Sequence, residues 1–237
     1  MKYIFFDLDG TLTDPMEGIT KGAQYALSKF GINVKNPNEL SFFVGPPLYS
    51  TFEEKYGFDS KKQKEAVKYY REYYADIGIY ENALYDGIDS LLSALKDTGF
   101  TLVVATSKPT VFANKVLEHF DIKKYFDFVS GDELDGSRAK KSLVIKHALE
   151  SLNITPDDGI IMVGDREHDI FGASEFGIPT VAVMFGYGSR EEFEAAGAYK
   201  IVDTVAQLQE YLVKSISLTE VEKSDIIKVN KGIDGTC

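Results

Sequence analysis

The sequence predicts an α/β fold: a mostly parallel sheet covered by helices, with a helical domain inserted after the first strand. Three observations carry this. Residues 4–6, 101–105 and 159–163 are short apolar runs without alternation, as in strands covered on both faces. From Gly87 onward such runs alternate with segments of helical period, which implies parallel pairing through right-handed crossovers. Between the first run and Gly87 no second strand appears where a simple βαβ unit would need one, and the chain stays helical in character.

Taken in order, residues 3–6 form the first strand and open into Asp7-Leu8-Asp9-Gly10-Thr11-Leu12-Thr13-Asp14. Asp14 suits a helix N-cap and Pro15 the first helical position. Ile19, Ala23, Ala26, Leu27 and Phe30 trace an apolar stripe that Gly31 ends. Residues 42–49 read as a turn between helices, and residues 61–80 as one long helix dense in Tyr and Lys. Residues 15–82 are therefore expected to form a helical lid beside the first strand's end, and residues 1–14 and 83–214 the core. The core reads as helix 88–95, strand 101–105, a helix to 119, short strand 126–129 and helix 139–152. Strand 159–163, a helix with Gly172 and Ala173, strand 180–184, strand 200–202 and helix 205–213 complete it. Residues 215–237 are a polar tail with no packing face.

Composition narrows the function. The formal net charge of −11 argues against a nucleic acid polymer or an anionic membrane as the main partner. No apolar run approaches membrane-spanning length. The single cysteine, Cys237, allows no internal disulfide. The start runs directly into the first strand, so the expectation is no signal peptide, a cytoplasmic location, and a monomer or homodimer acting on a small phosphorylated metabolite.

Three strands end in polar groups: Asp7 and Asp9, then Thr106 and Ser107, then Asp165. Parallel strands present their carboxyl ends at one rim, where open α/β sheets bind ligands. Asp7 and Asp9 would repel each other unless a cation lies between them, and hard cations take such oxygen ligands. The bland alternative is a strand cap with an Asp-Gly turn. Lys141 lies near the centre of the inward stripe of Val144, Ile145, Ala148 and Leu152, so it should point at the core rim, unless it snorkels along the edge. Lys108 and Arg138 are weaker cationic candidates. Asp165 and Asp169, four apart, would share a helix face, one free to bind a metal and the other to tether Lys141. Among the histidines, His119 and His147 read as structural or surface residues and His168 only as a neighbour of the two acids. Phe42, Phe43, Tyr49 and Phe52 read mostly as core of the inserted segment.

The ordered set Asp7-Leu8-Asp9-Gly10-Thr11-Leu12, Thr106, Lys141 and Gly164-Asp165-Arg166-Glu167-His168-Asp169 resembles the haloacid dehalogenase-like phosphatases, with their Rossmann-like core and helical cap. Thr106-Ser107-Lys108-Pro109, Arg138 and Gly186-Tyr187-Gly188 look like the phosphoglycolate phosphatase-like branch. Gly45-Pro46-Pro47-Leu48 is similar to a cap loop of its 5′-nucleotidase-like members. The resemblance implies Asp7 as nucleophile and Asp9 as general acid, then base. It implies Thr106 and Lys141 on the phosphoryl oxygens, and Mg²⁺ held by Asp7, Asp165 and the backbone carbonyl of Asp9. Asp169 would stand behind these ligands, and Lys108, Arg138 and backbone N–H groups near Leu8, Gly10 and Ser107 would help hold phosphate. Dehalogenases do not need the second acid, whereas phosphate-ester hydrolysis does. The expectation is therefore an Mg²⁺-dependent phosphatase acting on phosphoglycolate or a nucleoside 5′-monophosphate. A sugar-phosphate mutase of the same fold and a phospho-ligand sensor without turnover are the rivals.

Overall fold

A computed structural model describes residues 2–214; the expected polar tail, 215–237, lies outside the described residues. The central sheet has six strands, β1 (Tyr3–Phe6), β4 (Thr101–Pro109), β5 (Phe128–Asp132), β6 (Ile160–Gly164), β7 (Thr180–Val183) and β8 (Lys200–Val202). They lie in the order β5-β4-β1-β6-β7-β8, and every pairing is parallel. Central β1 shows why its sequence does not alternate. Ile4 and Phe6 join one apolar cluster and Phe5 the other, and all three are fully buried. One face is covered by α6 (Lys141–Leu152) and α7 (Glu167–Ser174), through Val144, Ala148 and Ala173. The other carries α4 (Ile88–Asp97), α5 (Thr110–His119) and a last helix over 205–214, through Leu91, Val116 and Leu208. Phe6 aligns with Val104 on one side and Val163 on the other, so three carboxyl ends come level.

The chain leaves the core through β2 (Thr13–Asp14) and returns through β3 (Ala83–Leu84), which pair antiparallel. Between them lie α1 (Met16–Ser28), a 3₁₀ turn (Pro37–Phe43), α2 (Leu48–Tyr56), α3 (Ser60–Tyr73) and a π turn (Tyr74–Gly78). Packed rings hold this segment: Phe52 stacks on Phe58 at 5.8 Å, and Phe30 meets Phe58 at 4.8 Å. The segment touches the core where the Arg71 guanidinium donates to the Leu134 carbonyl at 2.6 Å.

Several expected boundaries move for local reasons. Pro15 precedes α1 rather than opening it, while the Asp14 carboxylate accepts the Met16 N–H at 3.0 Å. The expected helix 61–80 stops at Tyr73 and widens into the π turn, where Gly18 of α1 meets Gly78 backbone to backbone. The strand expected over 126–129 lies at Phe128–Asp132. Phe126 instead packs edge-on against Phe6, and Asp127 pairs with Lys96. A methyl group on Gly18 would sit 1.8 Å from the Gly78 carbonyl oxygen. Gly18→Ala is expected to destabilise the protein by roughly 1–3 kcal/mol, read as a lower denaturation midpoint.

Candidate active site

Lys141 is the centre of the rim. As the first residue of α6, next to a sheet end, it points along the helix start into the core and is 5% exposed. Its Nζ lies 2.9 Å from Asp7 Oδ1 and 2.7 Å from Asp169 Oδ1, and donates to the Ala105 carbonyl at 3.0 Å. Two ion pairs and one hydrogen bond to a carbonyl thus surround the ammonium. Burial opposes the charge, but Asp169 and Asp7 outweigh it and hold the ammonium's pKa above the ordinary lysine value. Gly172 of α7 makes the approach possible, since a Cβ there would lie 2.7 Å from Lys141 Cγ.

Asp165 follows β6 and is almost wholly buried. Thr11 Oγ1 donates to its Oδ1 at 3.2 Å and the Tyr187 N–H to its Oδ2 at 2.9 Å. A Cβ on Gly10 would fall 2.1 Å from Asp165 Oδ2, and Gly10 also has φ of +82°, so this turn requires glycine twice over. Burial, then the charges of Asp169 and Asp7, push the Asp165 carboxyl well above its usual range. Burial also raises Asp169 to about 6, with Lys141 opposing and Asp7 adding to the rise. Asp7, Asp165 and Asp169 offer oxygens within 4.8 Å of one another. Three carboxyl groups face the single ammonium of Lys141 in a buried space, an excess of acids that burial and mutual repulsion push toward their neutral forms. That donor set and excess of acids fit a hard divalent cation with oxygen ligands.

Asp9, two residues beyond Asp7, turns elsewhere. Lys108 Nζ donates to both its oxygens, at 2.9 and 2.7 Å. Burial raises the Asp9 carboxyl and Lys108 restrains the rise. The Asp9 carboxylate therefore lies outside the Asp7–Asp165–Asp169 group, leaving its backbone carbonyl as the atom it could offer a metal. Lys108, expected on phosphate, is bound to Asp9. Thr106 is buried at the rim, and its hydroxyl oxygen accepts the Lys108 N–H at 3.2 Å.

Two groups expected near phosphate, Arg138 and the Gly10 N–H, have partners within the chain. Arg138 lies on the loop before α6, where its Nε donates to the Gly131 carbonyl at 2.8 Å and its guanidinium pairs with Glu133. These acceptors lie at the end of β5 and just beyond it. The Gly10 N–H is spent on the Thr13 carbonyl at 2.7 Å, because the chain turns tightly into β2. Leu8 is fully buried, its carbonyl accepting the Leu12 and Thr13 N–H groups, so only its own N–H could face a ligand. Conversely, Thr11, the Tyr187 N–H and the Ala105 carbonyl join the rim without having been foreseen. Thr11 had a visible signal, a hydroxyl two residues after Asp9; the other two are backbone groups with none.

Beside Asp9 and Lys108 a cavity opens toward the helical segment. Ser107, Phe43, Tyr49, Tyr70, Tyr74 and Phe112 are among its walls. His168 is exposed at the edge of a neighbouring groove, and His147 Nδ1 lies 3.0 Å from Ser130 Oγ, away from the rim.

Residues 4–183 match the haloacid dehalogenase-like hydrolase family. The chain belongs to that family. Among haloacid dehalogenase-like relatives, it is 47% identical to a 5′-nucleotidase of Pseudomonas aeruginosa, over 81% of this chain and 86% of that one. It is 40% identical to the tyrosine-protein kinase PtkA of Mycobacterium tuberculosis, over 87% of this chain and 70% of that one. The crystal structure of a "predicted phosphatase" from Clostridium acetobutylicum superposes with a TM-score of 0.87 at 51% identity, covering 90% of this chain and 98% of that one.

The raised carboxyls set a sign for pH. A carboxyl whose folded pKa lies above its unfolded value favours folding below the unfolded value, and that benefit is lost as pH rises through the folded one. For Asp169 the window runs from the ordinary carboxylate range to about 6. Above it the acids repel one another, and a divalent cation among them would relieve that repulsion. Millimolar Mg²⁺ is expected to raise the melting temperature by an amount that grows from about pH 5 to about pH 7.5. A gain that is flat with pH, or larger in acid, would place the cation elsewhere.

Proposed function

We propose that this protein is an Mg²⁺-dependent phosphomonoesterase acting through an aspartyl-phosphate on Asp7. The carrying observation is the pairing of two carboxylates, two residues apart, with separate lysines: Asp7 with Lys141 and Asp9 with Lys108. Environments that differ in this way give two acids two roles. An oxygen of Asp7 attacks phosphorus, and the ester P–O bond breaks. Asp9, whose carboxyl burial favours in the protonated form, gives its proton to the departing oxygen. Asp9 then takes a proton from water as that water attacks phosphorus, releasing inorganic phosphate and restoring Asp7. Lys141 neutralises Asp7 and phosphoryl charge, and Thr106 and the Ser107 N–H sit at the rim to receive phosphoryl oxygens. A divalent cation held by Asp7, Asp165 and the Asp9 carbonyl, with Asp169 behind them, would supply further neutralisation there.

The cavity beside Asp9 supports a nucleoside 5′-monophosphate before phosphoglycolate. Its aromatic walls suit a ring system, whereas the carboxylate of phosphoglycolate would require a free cation. Among the cationic wall groups, Lys108 is engaged by Asp9 and Arg71 by the Leu134 carbonyl. The 5′-nucleotidase name of a relative at 47% identity points the same way.

Phosphate release from a metabolite panel, with Mg²⁺ and with chelator, tests the reading. Release should require Mg²⁺, should favour nucleoside 5′-monophosphates, and should fall by roughly three orders of magnitude or more in Asp7→Asn. Unchanged release in Asp7→Asn would refute the assignment, and no release from any ester would favour a sensor. Hexose 1-phosphate converted to an isomer would favour the mutase. Transfer of label from ATP to a tyrosine peptide would instead favour the activity named in the PtkA relative.

A further inference from the structure

Lys108 is a buried lysine at a strand end. It lies in the last residues of β4, inside the stretch between Ala105 and Pro109 where the pairing register shifts. Its side chain is 5% exposed and its Nζ holds both Asp9 oxygens. The same Nζ lies 5.0 Å from the ring centroid of Tyr74, in the π turn of the helical segment. Tyr74 is itself locked, stacked on Tyr70 at 5.1 Å and edge-on to Phe112 at 5.8 Å. A two-point contact to both oxygens fixes how the carboxylate faces, which one hydrogen bond would not. A cation held against an aromatic face is attracted by the ring, and more strongly where water is excluded.

We propose that Lys108 is a positioning residue, holding the Asp9 carboxyl toward the leaving oxygen, and that Tyr74 braces Lys108 from the helical segment. This rests on the phosphatase reading, since it gives Asp9 the leaving group's proton. The core thus orients its acid with help from a ring of the helical segment.

The test uses leaving groups. An alkoxide needs its proton as the bond breaks, whereas p-nitrophenolate departs without one, and kcat/KM reports the steps through that departure. The full-length protein is first shown to cleave both a nucleoside 5′-monophosphate and p-nitrophenyl phosphate, with both activities lost in Asp7→Asn. Failure here refutes the phosphatase reading itself. Lys108→Met should then lower kcat/KM for the nucleotide at least about tenfold more than for the aryl ester. Lys108→Arg should recover part of that ratio. Tyr74→Leu should move the ratio the same way, and add nothing to it when combined with Lys108→Met. Equal losses on both substrates, or no loss, would overturn the positioning role, and additive ratios would overturn the bracing by Tyr74. If Lys108→Met fails to fold, Lys108→Arg and Tyr74→Leu carry the same ratio test.

Discussion

The rest of the structure depends on one buried ammonium. Lys141 sits where water is excluded, and its charge is tolerated because two carboxylates and a carbonyl surround it. Removing one partner from such a group leaves an uncompensated charge, which is far more costly than the pair itself. The surrounding backbone is built to allow this crowding. Gly172 admits the lysine stem, Gly164 admits Asp169, and Gly10 and Gly186 admit Asp165. Each is a place where a single methyl group would collide with the side chain that carries charge.

The charges nonetheless do not balance among themselves. Asp165 and Asp169 remain pushed toward their protonated forms, first by burial and then by the neighbouring acids, which one lysine does not offset. A site poised in this way gains most from a divalent cation and from an anionic group brought with it. Asp9 escapes the crowding: the strand ends at Phe6, the chain turns, and the second carboxylate meets its own lysine.

The helical segment is joined to this chemistry at several points. Arg71 reaches the loop after β5, and Arg166, beside Gly45 of the segment, is held by Glu192 at 2.9 Å. Tyr187 links the rim to the segment's root, since its N–H binds Asp165 and its hydroxyl binds Asp14, next to α1. Movement of the segment would be felt at Asp165 through one residue and at Asp9 through Tyr74 and Lys108.

Much of this was legible in the chain alone. Unalternating runs such as Ile4-Phe5-Phe6 specify a doubly covered strand because both faces must be apolar, and alternation with helices then dictates parallel order. Lys141 was legible because helical period placed it on the same stripe as Val144 and Ala148. Partner choice was not. Lys108 and Arg138 look alike as lone basic residues near strand ends, yet one meets Asp9 and the other Gly131 and Glu133. That difference comes from the shifted end of β4 and the loop after β5, which only the packed sheet defines. Local pattern determines which faces are buried and where strands end; which charges then meet is decided by distances between elements far apart in sequence, and no periodicity encodes those.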